Sequence, residues 1–309
     1  MRNAFAEEIT KLAGSDARIV LLSGDIGNRL FNAFKEACPE RFFNCGVAEA
    51  NMTGMAAGMA MSGLKPVTYT IAPFNTTRCL EQIKLDICYH NLPVVVVGVG
   101  AGLAYAGLGS THHTFEDIAI LRVLPNLAIV CPGDAVEVRL ALRAALKRQG
   151  PTYIRLGKKN EPVVHAKEPA FAIGRGIVVR EGSGACLLST GNTLPLALAA
   201  ADRLEQEGAS VRVVSLHTVK PLDEELLGEV CTGFRVVATI EEHSLIGGLA
   251  AAVAEWWGGR KGGPQFLRFG IGDRFLHGSG NQDHARAMVG LTPENIARQV
   301  AAALNERAS

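Results

Sequence analysis

Short apolar runs alternate with helix-period segments along the whole chain. Residues 19–23, 94–99, 127–131 and 152–156 in the first half, and 185–190, 211–216, 235–240 and 266–270 in the second, predict strands. Several are unbroken Val/Ile/Leu stretches without alternation, as expected of parallel strands covered on both faces. The intervening helices have legible starts. Asp223 stands as an N-cap acid before Glu224-Glu225-Leu226. Thr292-Pro293-Glu294 gives a cap, a first-turn proline and a carboxylate that complements the helix dipole. Residues 1–8 read as an amphipathic helix and not a signal peptide, for they lack an apolar h-region. Strand–helix alternation in both halves predicts an α/β chain with two open sheets, parallel or mixed. The charged, proline-bearing stretch 158–169 has little periodicity. It sets the expected division at a first domain 1–160, a linker 161–170 and a second domain 171–309.

A length of 309 residues fits two domains, and 48% hydrophobic residues allow each a substantial core. The formal net charge is +1, with no basic tail or stripe, which argues against nucleic acid or anionic membranes as partners. No apolar run approaches the ~20 residues of a membrane-spanning helix. Seven cysteines are scattered without C-x-x-C spacing, a pattern of reduced thiols in a cytoplasmic protein.

The candidate chemistry lies at the ends of predicted strands, where open α/β sheets gather their ligands. Ser23-Gly24-Asp25 closes the first; alone, Asp25 reads equally as a turn or capping residue. Glu49 opens a helix made almost wholly of Gly, Ala, Met and Ser. A lone acid there is costly to bury unless paired, although the helix dipole alone would also favour it. The spacing Gly98-x-Gly100-x-Gly102 is not a dinucleotide fingerprint, and these glycines read as sites of close backbone approach. In the following loop, His112 and His113 are adjacent, so their side chains diverge, and no third ligand has zinc-like spacing. A hydrogen-bonding or proton-transfer histidine is the better functional reading, and no metal site is expected on this chain. Glu241-Glu242-His243 forms a second strand-end cluster, read as tying the strand end to the next helix. Lys158 reads as a strand-end cation able to meet an anion.

Taken together, several segments resemble the transketolase family, over its pyrimidine-binding and C-terminal domains. They are Gly46-Val47-Ala48-Glu49, Gly63-Leu64-Lys65-Pro66-Val67, Thr111-His112-His113, Cys131-Pro132-Gly133-Asp134, Gly150-Pro151-Thr152-Tyr153-Ile154-Arg155 and Val219-Lys220-Pro221-Leu222-Asp223. The resemblance implies thiamine diphosphate as cofactor, with its pyrimidine end on this chain. Glu49 matches the family glutamate that holds a proton at the pyrimidine ring nitrogen. Phe74 matches the aromatic packed on that ring, Asp25 an aspartate at the cofactor site, and His112 the histidine that contacts substrate hydroxyls. The family's Gly-Asp-Gly…Asn element for diphosphate and metal has no counterpart here. The resemblance is therefore to the second subunit of a split enzyme. Its partner would carry the diphosphate and Mg²⁺ or Ca²⁺, and the expected assembly is a heterotetramer of two copies of each chain, with self-association of this one.

Departures from the family pattern fall in the sugar-recognition shell. A second aromatic is replaced by Thr77, a hydroxyl-reading aspartate by Leu108 and a phosphate-contacting histidine by Gly100. A phosphate-contacting serine becomes Arg29 and an arginine becomes Lys158, while Arg2 is kept. Arg2, Arg29 and Lys158 would still meet an anionic group, so the expected substrates are phosphorylated or otherwise anionic sugars. The expected reaction is transfer of a two-carbon ketol unit. A β subunit of a 2-oxo-acid dehydrogenase, a 1-deoxyxylulose-5-phosphate synthase-like enzyme and a non-catalytic regulatory subunit are the alternatives.

Overall fold

The computed structural model describes residues 1–27, 29–158, 161–278 and 280–306. Among them, the strands are β1 (Ile19–Ser23), β2 (Phe42–Asn44), β3 (Lys65–Ile71), β4 (Val95–Val99), β5 (Ala128–Val130), β6 (Thr152–Leu156), β7 (Ile177–Arg180), β8 (Ala185–Ser189), β9 (Val211–Ser215), β10 (Thr218–Lys220), β11 (Val236–Ser244) and β12 (Gln265–Ile271). They form two sheets, ordered β10-β5-β6-β4-β3-β1-β2 and β12-β11-β8-β9-β7. All pairings are parallel except β10 with β5 and β7 with β9, so the expected mixed α/β architecture is what the chain adopts.

The expected strands are present with ends shifted by a few residues, and β2, β3, β7 and β10 add to them. β3 is hidden in the sequence by Pro66 and by its Thr-Tyr-Thr interior. Its pairing with β4 begins only at Val67↔Val95, so Pro66 sits at the strand's start, where a missing donor is tolerated. β10 is the larger departure. It belongs to the second half of the chain yet adds an antiparallel edge to the first sheet, with Thr218 opposite Val130.

The two sheets share a core. One apolar cluster runs from Val20, Met52 and Val96 through Ile118 and Leu121 to Leu188, Val237 and Leu249. The expected linker is also tied down. Asp134 caps the helix Ala135–Lys147 by accepting from Val136 and Glu137 N–H groups, and its other oxygen accepts from Val164 and His165 N–H, both at 2.9 Å. His165 Nε2 lies 2.8 Å from Glu137, which raises the imidazole pKa. No helix among the described residues is long and apolar enough to cross a membrane.

Candidate active site

Register explains why distant residues meet. Ser23 pairs with Tyr69, Ile71 with Val99, and Val99 with Leu156. The carboxyl ends of β1, β3, β4 and β6 therefore line up along one edge. From that edge leave Asp25, the short helix Ala72–Asn75 bearing Phe74, the loop with His112, and Lys158.

Glu49 enters from the side, at the start of the helix Glu49–Met61, and its side chain is 2% exposed. Gly24 makes room for it. A Cβ there would sit 3.0 Å from Thr70 and 3.2 Å from Glu49 Cγ. The Thr70 hydroxyl beside this opening is buried without a hydrogen-bond partner. One cation meets the acid: Arg78 Nη1 donates to Glu49 Oε2 at 2.7 Å. The Arg78 guanidinium also lies over the Phe74 ring, 4.2 Å from its centroid.

From Phe74 a row of rings continues outward. His112 meets Phe74 edge-on at 5.3 Å and Tyr105 at 5.9 Å, and the Lys158 ammonium lies over Tyr105 at 4.3 Å. His112 Nδ1 is 2.9 Å from Thr111 Oγ1. Burial, and then the neighbouring His113, lower the His112 pKa, so the ring is neutral near pH 7. His113 turns the other way, is buried, and places Nε2 3.2 Å from the Ala106 carbonyl. The divergence expected of adjacent histidines thus separates a site-facing ring from a structural one.

The structure brings Glu49, Phe74, His112 and Lys158 into one row. Arg2 belongs to its outer end. The Met1 ammonium bonds Glu161 at 2.9 Å, Gly157 N–H meets Met1 Sδ, and Arg2 acts electrostatically on Tyr105. Its Nε is buried without a partner. Asp25 lies at the carboxyl end of β1 with φ +53 and accepts from Asn44 Nδ2 at 3.0 Å. Arg29 sits exposed on the turn beyond, and no contact among the described residues joins its side chain to the row.

Sequence reasoning missed Arg78 and Tyr105. Tyr105 explains the glycine at position 100, because a Cβ there would lie 1.9 Å from its ring. Arg78 carried little signal: it stands four residues after Phe74 but in a separate short turn, Thr77–Cys79. Beyond Tyr105 and Lys158 opens a cavity of about 720 Å³, whose far wall includes Asn192, Gln282 and Arg286 from the second half of the chain. Among the described residues, no group of three or more His, Cys, Asp or Glu is gathered to hold a metal.

A buried acid and an aromatic face, bridged by Arg78, thus stand together at the carboxyl edge of a mostly parallel sheet. The family model of the transketolase pyrimidine-binding domain matches residues 1–163, and that of the transketolase C-terminal domain matches 174–296. The chain belongs to the transketolase family. It is 34% identical to the 6-deoxy-6-sulfo-D-fructose transketolase subunit of Clostridium sp. (strain MSTE9), covering 96% of this chain and 92% of that one. It is 37% identical to the 1-deoxy-D-xylulose-5-phosphate synthase of Halalkalibacterium halodurans, covering 96% of this chain but 47% of that enzyme. A solved structure described as a split gene transketolase, inactive beta4 tetramer, superposes with a TM-score of 0.89 at 37% identity, covering 98% of this chain and 97% of that one. The chain is thus a transferase subunit of the transketolase type.

Proposed function

We propose that this chain supplies the aminopyrimidine half of a split transketolase site and moves a two-carbon ketol unit between anionic sugars. The observation that carries the reading is Glu49, buried at the sheet edge with one half-exposed cation as its partner. The residues fit the cofactor. Glu49 would hold a proton at ring nitrogen N1′ and Phe74 would pack against the ring face, and the opening at Gly24 with the unpaired Thr70 hydroxyl lies beside Glu49. Asp25 flanks the same edge. Bound thiamine diphosphate supplies a thiazolium ring that accepts the electron pair released when the bond beside a ketose carbonyl breaks.

The other residues act on the sugar. His112, neutral and fixed through Nδ1, presents Nε2 to a substrate hydroxyl and moves a proton there. Lys158 and Arg2 meet the anionic group, and Arg29 joins them only if its turn folds inward. Lysine offers a point charge where an arginine would offer a fork, which suits a differently placed or differently shaped anion.

The diphosphate and its Mg²⁺ or Ca²⁺ fall to a separate chain, in an assembly of two copies of each. The relative described as an inactive tetramer of one chain type supports both self-association and silence without a partner. All seven cysteines are unpaired, which supports a cytoplasmic setting.

The test is reconstitution. The chain mixed with its diphosphate-binding partner, thiamine diphosphate and Mg²⁺ is expected to transfer ketol units across a panel of ketose phosphates and sulfonates. The chain alone is expected to be silent. Turnover by the chain alone, with cofactor and metal, ends the split-site reading. Condensation from pyruvate in place of ketol transfer moves the chain to the synthase reading.

A further inference from the structure

The cluster Glu241-Glu242-His243 at the end of β11 divides its labour. Glu241 does what strand-end acids commonly do. It accepts from Leu249 N–H at 2.6 Å and Ala250 N–H at 2.8 Å, tying the strand to the helix Leu249–Trp257. Glu242 points the opposite way, as alternation along a strand requires, and leaves its own domain.

Its carboxylate is fully buried. Oε1 accepts from the Leu103 backbone N–H at 2.5 Å, Arg286 Nε donates to Oε2 at 2.5 Å, and Gln282 Nε2 reaches both oxygens at 2.9 and 3.0 Å. Leu103 begins the loop that carries Tyr105 and His112. Gly102 and Thr114 close the loop's neck by exchanging two backbone hydrogen bonds, each 3.1 Å. Gly102 has φ +66, and a Cβ there would lie 2.5 Å from Glu242 Oε1, so glycine is needed for this approach. The other side of the neck is held by Arg155 of β6, in the first sheet, and by Ser244 of β11. Arg155 Nη2 donates to both the Thr114 and Glu242 carbonyls at 3.0 Å, and Ser244 N–H donates to the Phe115 carbonyl at 2.9 Å. Both stems of the loop are therefore gripped by the second domain. Glu242 supplies the only side-chain acceptor in that grip among the described residues.

We propose that Glu242, backed by Arg286 and Gln282, is a positioning residue for catalysis: it fixes the height and tilt of the His112 loop over the site. This gives the second domain a task in the chemistry beyond building interfaces, and it rests on the reading of His112 above. A buried carboxylate held by several charge-assisted bonds has one discrete arrangement. Without it, the Leu103 N–H loses its acceptor and the loop loses its reference point.

The experiment uses the reconstituted complex with wild type, Glu242→Gln, His112→Ala and the double variant. The amide is nearly isosteric but cannot accept from all three donors. Expected for Glu242→Gln are unchanged binding of thiamine diphosphate, measured by titration calorimetry, and kcat/KM for ketol transfer lower by about 10- to 100-fold. Hydrogen exchange is expected to quicken in residues 102–114 by at least about tenfold more than in β8 and β9. Because Glu242 acts through His112, Glu242→Gln should cost little further in the His112→Ala background.

Full additivity of the two losses overturns the proposal, as does quickened exchange spread evenly over the second sheet, or unaltered kcat/KM in Glu242→Gln. Full turnover by His112→Ala sinks the reading of His112 instead. The exchange data would then still show whether Glu242 holds the loop.

Discussion

Two buried glutamates of this chain are compensated in opposite ways. Glu242 is fully buried and meets three separate donors, one from the backbone and two from a single helix. Glu49 is 2% exposed and meets one arginine whose own side chain is 43% exposed. Burying a charge demands partners in both cases. The difference lies in how easily the partners can leave. Leu103, Gln282 and Arg286 are packed in place. Arg78 rests against solvent on the flat face of Phe74 and can swing away at little cost. A carboxylate that positions a loop is saturated. On the proposed reading, the carboxylate that takes up an incoming ring is held by a single planar cation lying over Phe74, where that ring would stack.

The largest expected effect separates the two acids by role. Glu49→Gln should lower ketol transfer by about 10²- to 10⁴-fold in the reconstituted complex, the range for losing a positioned proton-holding group. Its melting temperature as a free chain should change little or rise, because a lightly compensated buried charge is removed. Glu242→Gln should do the reverse in stability, costing about 1–2 kcal/mol, since charged hydrogen bonds are lost from a packed site. If both variants lower the melting temperature equally, the contrast between an exchangeable and a fixed acid is wrong. A regulatory subunit would tolerate Glu49→Gln, so near-normal turnover by that variant would remove the catalytic reading altogether.

Next in size is the response to acid, which should strike the fixed region first. His243 lies behind Glu242, fully buried, with its ring 3.8 Å from Asp117 and 3.9 Å from Glu241, and with Arg155 nearby. Nδ1 donates to the Ser244 carbonyl at 2.8 Å, and burial lowers its pKa to about 4. His217, stacked on Phe171 at 4.1 Å, is likewise lowered to about 4 by burial. Both rings fold as neutral groups, so their stabilisation is complete above the unfolded value near 6.5 and is lost as pH falls toward 4. Each would contribute up to about 3 kcal/mol. Burial raises Glu241 to about 7, so its contribution runs the other way, complete in acid and lost as pH rises through 7. Two histidines outweigh one glutamate. The thermal midpoint should fall steadily between pH 6.5 and 4.5, and His243→Asn, which leaves one histidine against one glutamate of similar shift, should remove nearly all of that fall. A midpoint that stays flat over this range refutes the assignment. At the other acid the relevant ring is His112, whose lowered pKa keeps it neutral into mildly acidic solution. The acid limb of kcat/KM should therefore fall below pH 6.5.

The contrast also explains what the sequence could reveal. His112 and Lys158 were legible because each follows the end of a strand the apolar pattern exposes, Glu49 because it is a lone acid opening a helix of small residues, and Phe74 only through the family resemblance. Parallel topology then forces such ends to one edge. Tyr105 was hidden because its partner is a missing side chain, Gly100, and only the folded loop shows that a ring fills the space. Glu242 was read as serving its own strand, as Glu241 does, because its true donor lies 139 residues away. β10 was hidden for a similar reason. Three residues, Thr218-Val219-Lys220, have no periodicity to read, and their place is set by an edge of the other sheet. Local pattern exposes what the backbone repeats, while contacts made once across the chain leave no trace in spacing.

The smallest effect bears most directly on how Glu49 is released. Arg78 makes two contacts, an ion pair to Glu49 and a stack on Phe74. An aminopyrimidine ring held by Glu49 and packed on Phe74 would use the same two, so the guanidinium and the ring exclude each other. Arg78→Ala should then have effects of opposite sign in the two states of the chain. The free subunit loses a partner for a buried acid and should be destabilised by about 1 kcal/mol, a modest figure because the arginine is partly solvated. The complex no longer has to displace a cation, and its affinity for thiamine diphosphate should rise about three- to tenfold. Arg78→Lys keeps the charge but not the flat stacking surface, and should fall between. Calorimetric titration of the three complexes, with melting curves of the three free chains, gives both signs at once. Weaker cofactor binding by Arg78→Ala would mean that arginine and ring are held together, Arg78 on one carboxylate oxygen and the ring on the other. Glu49 would then be as fixed as Glu242.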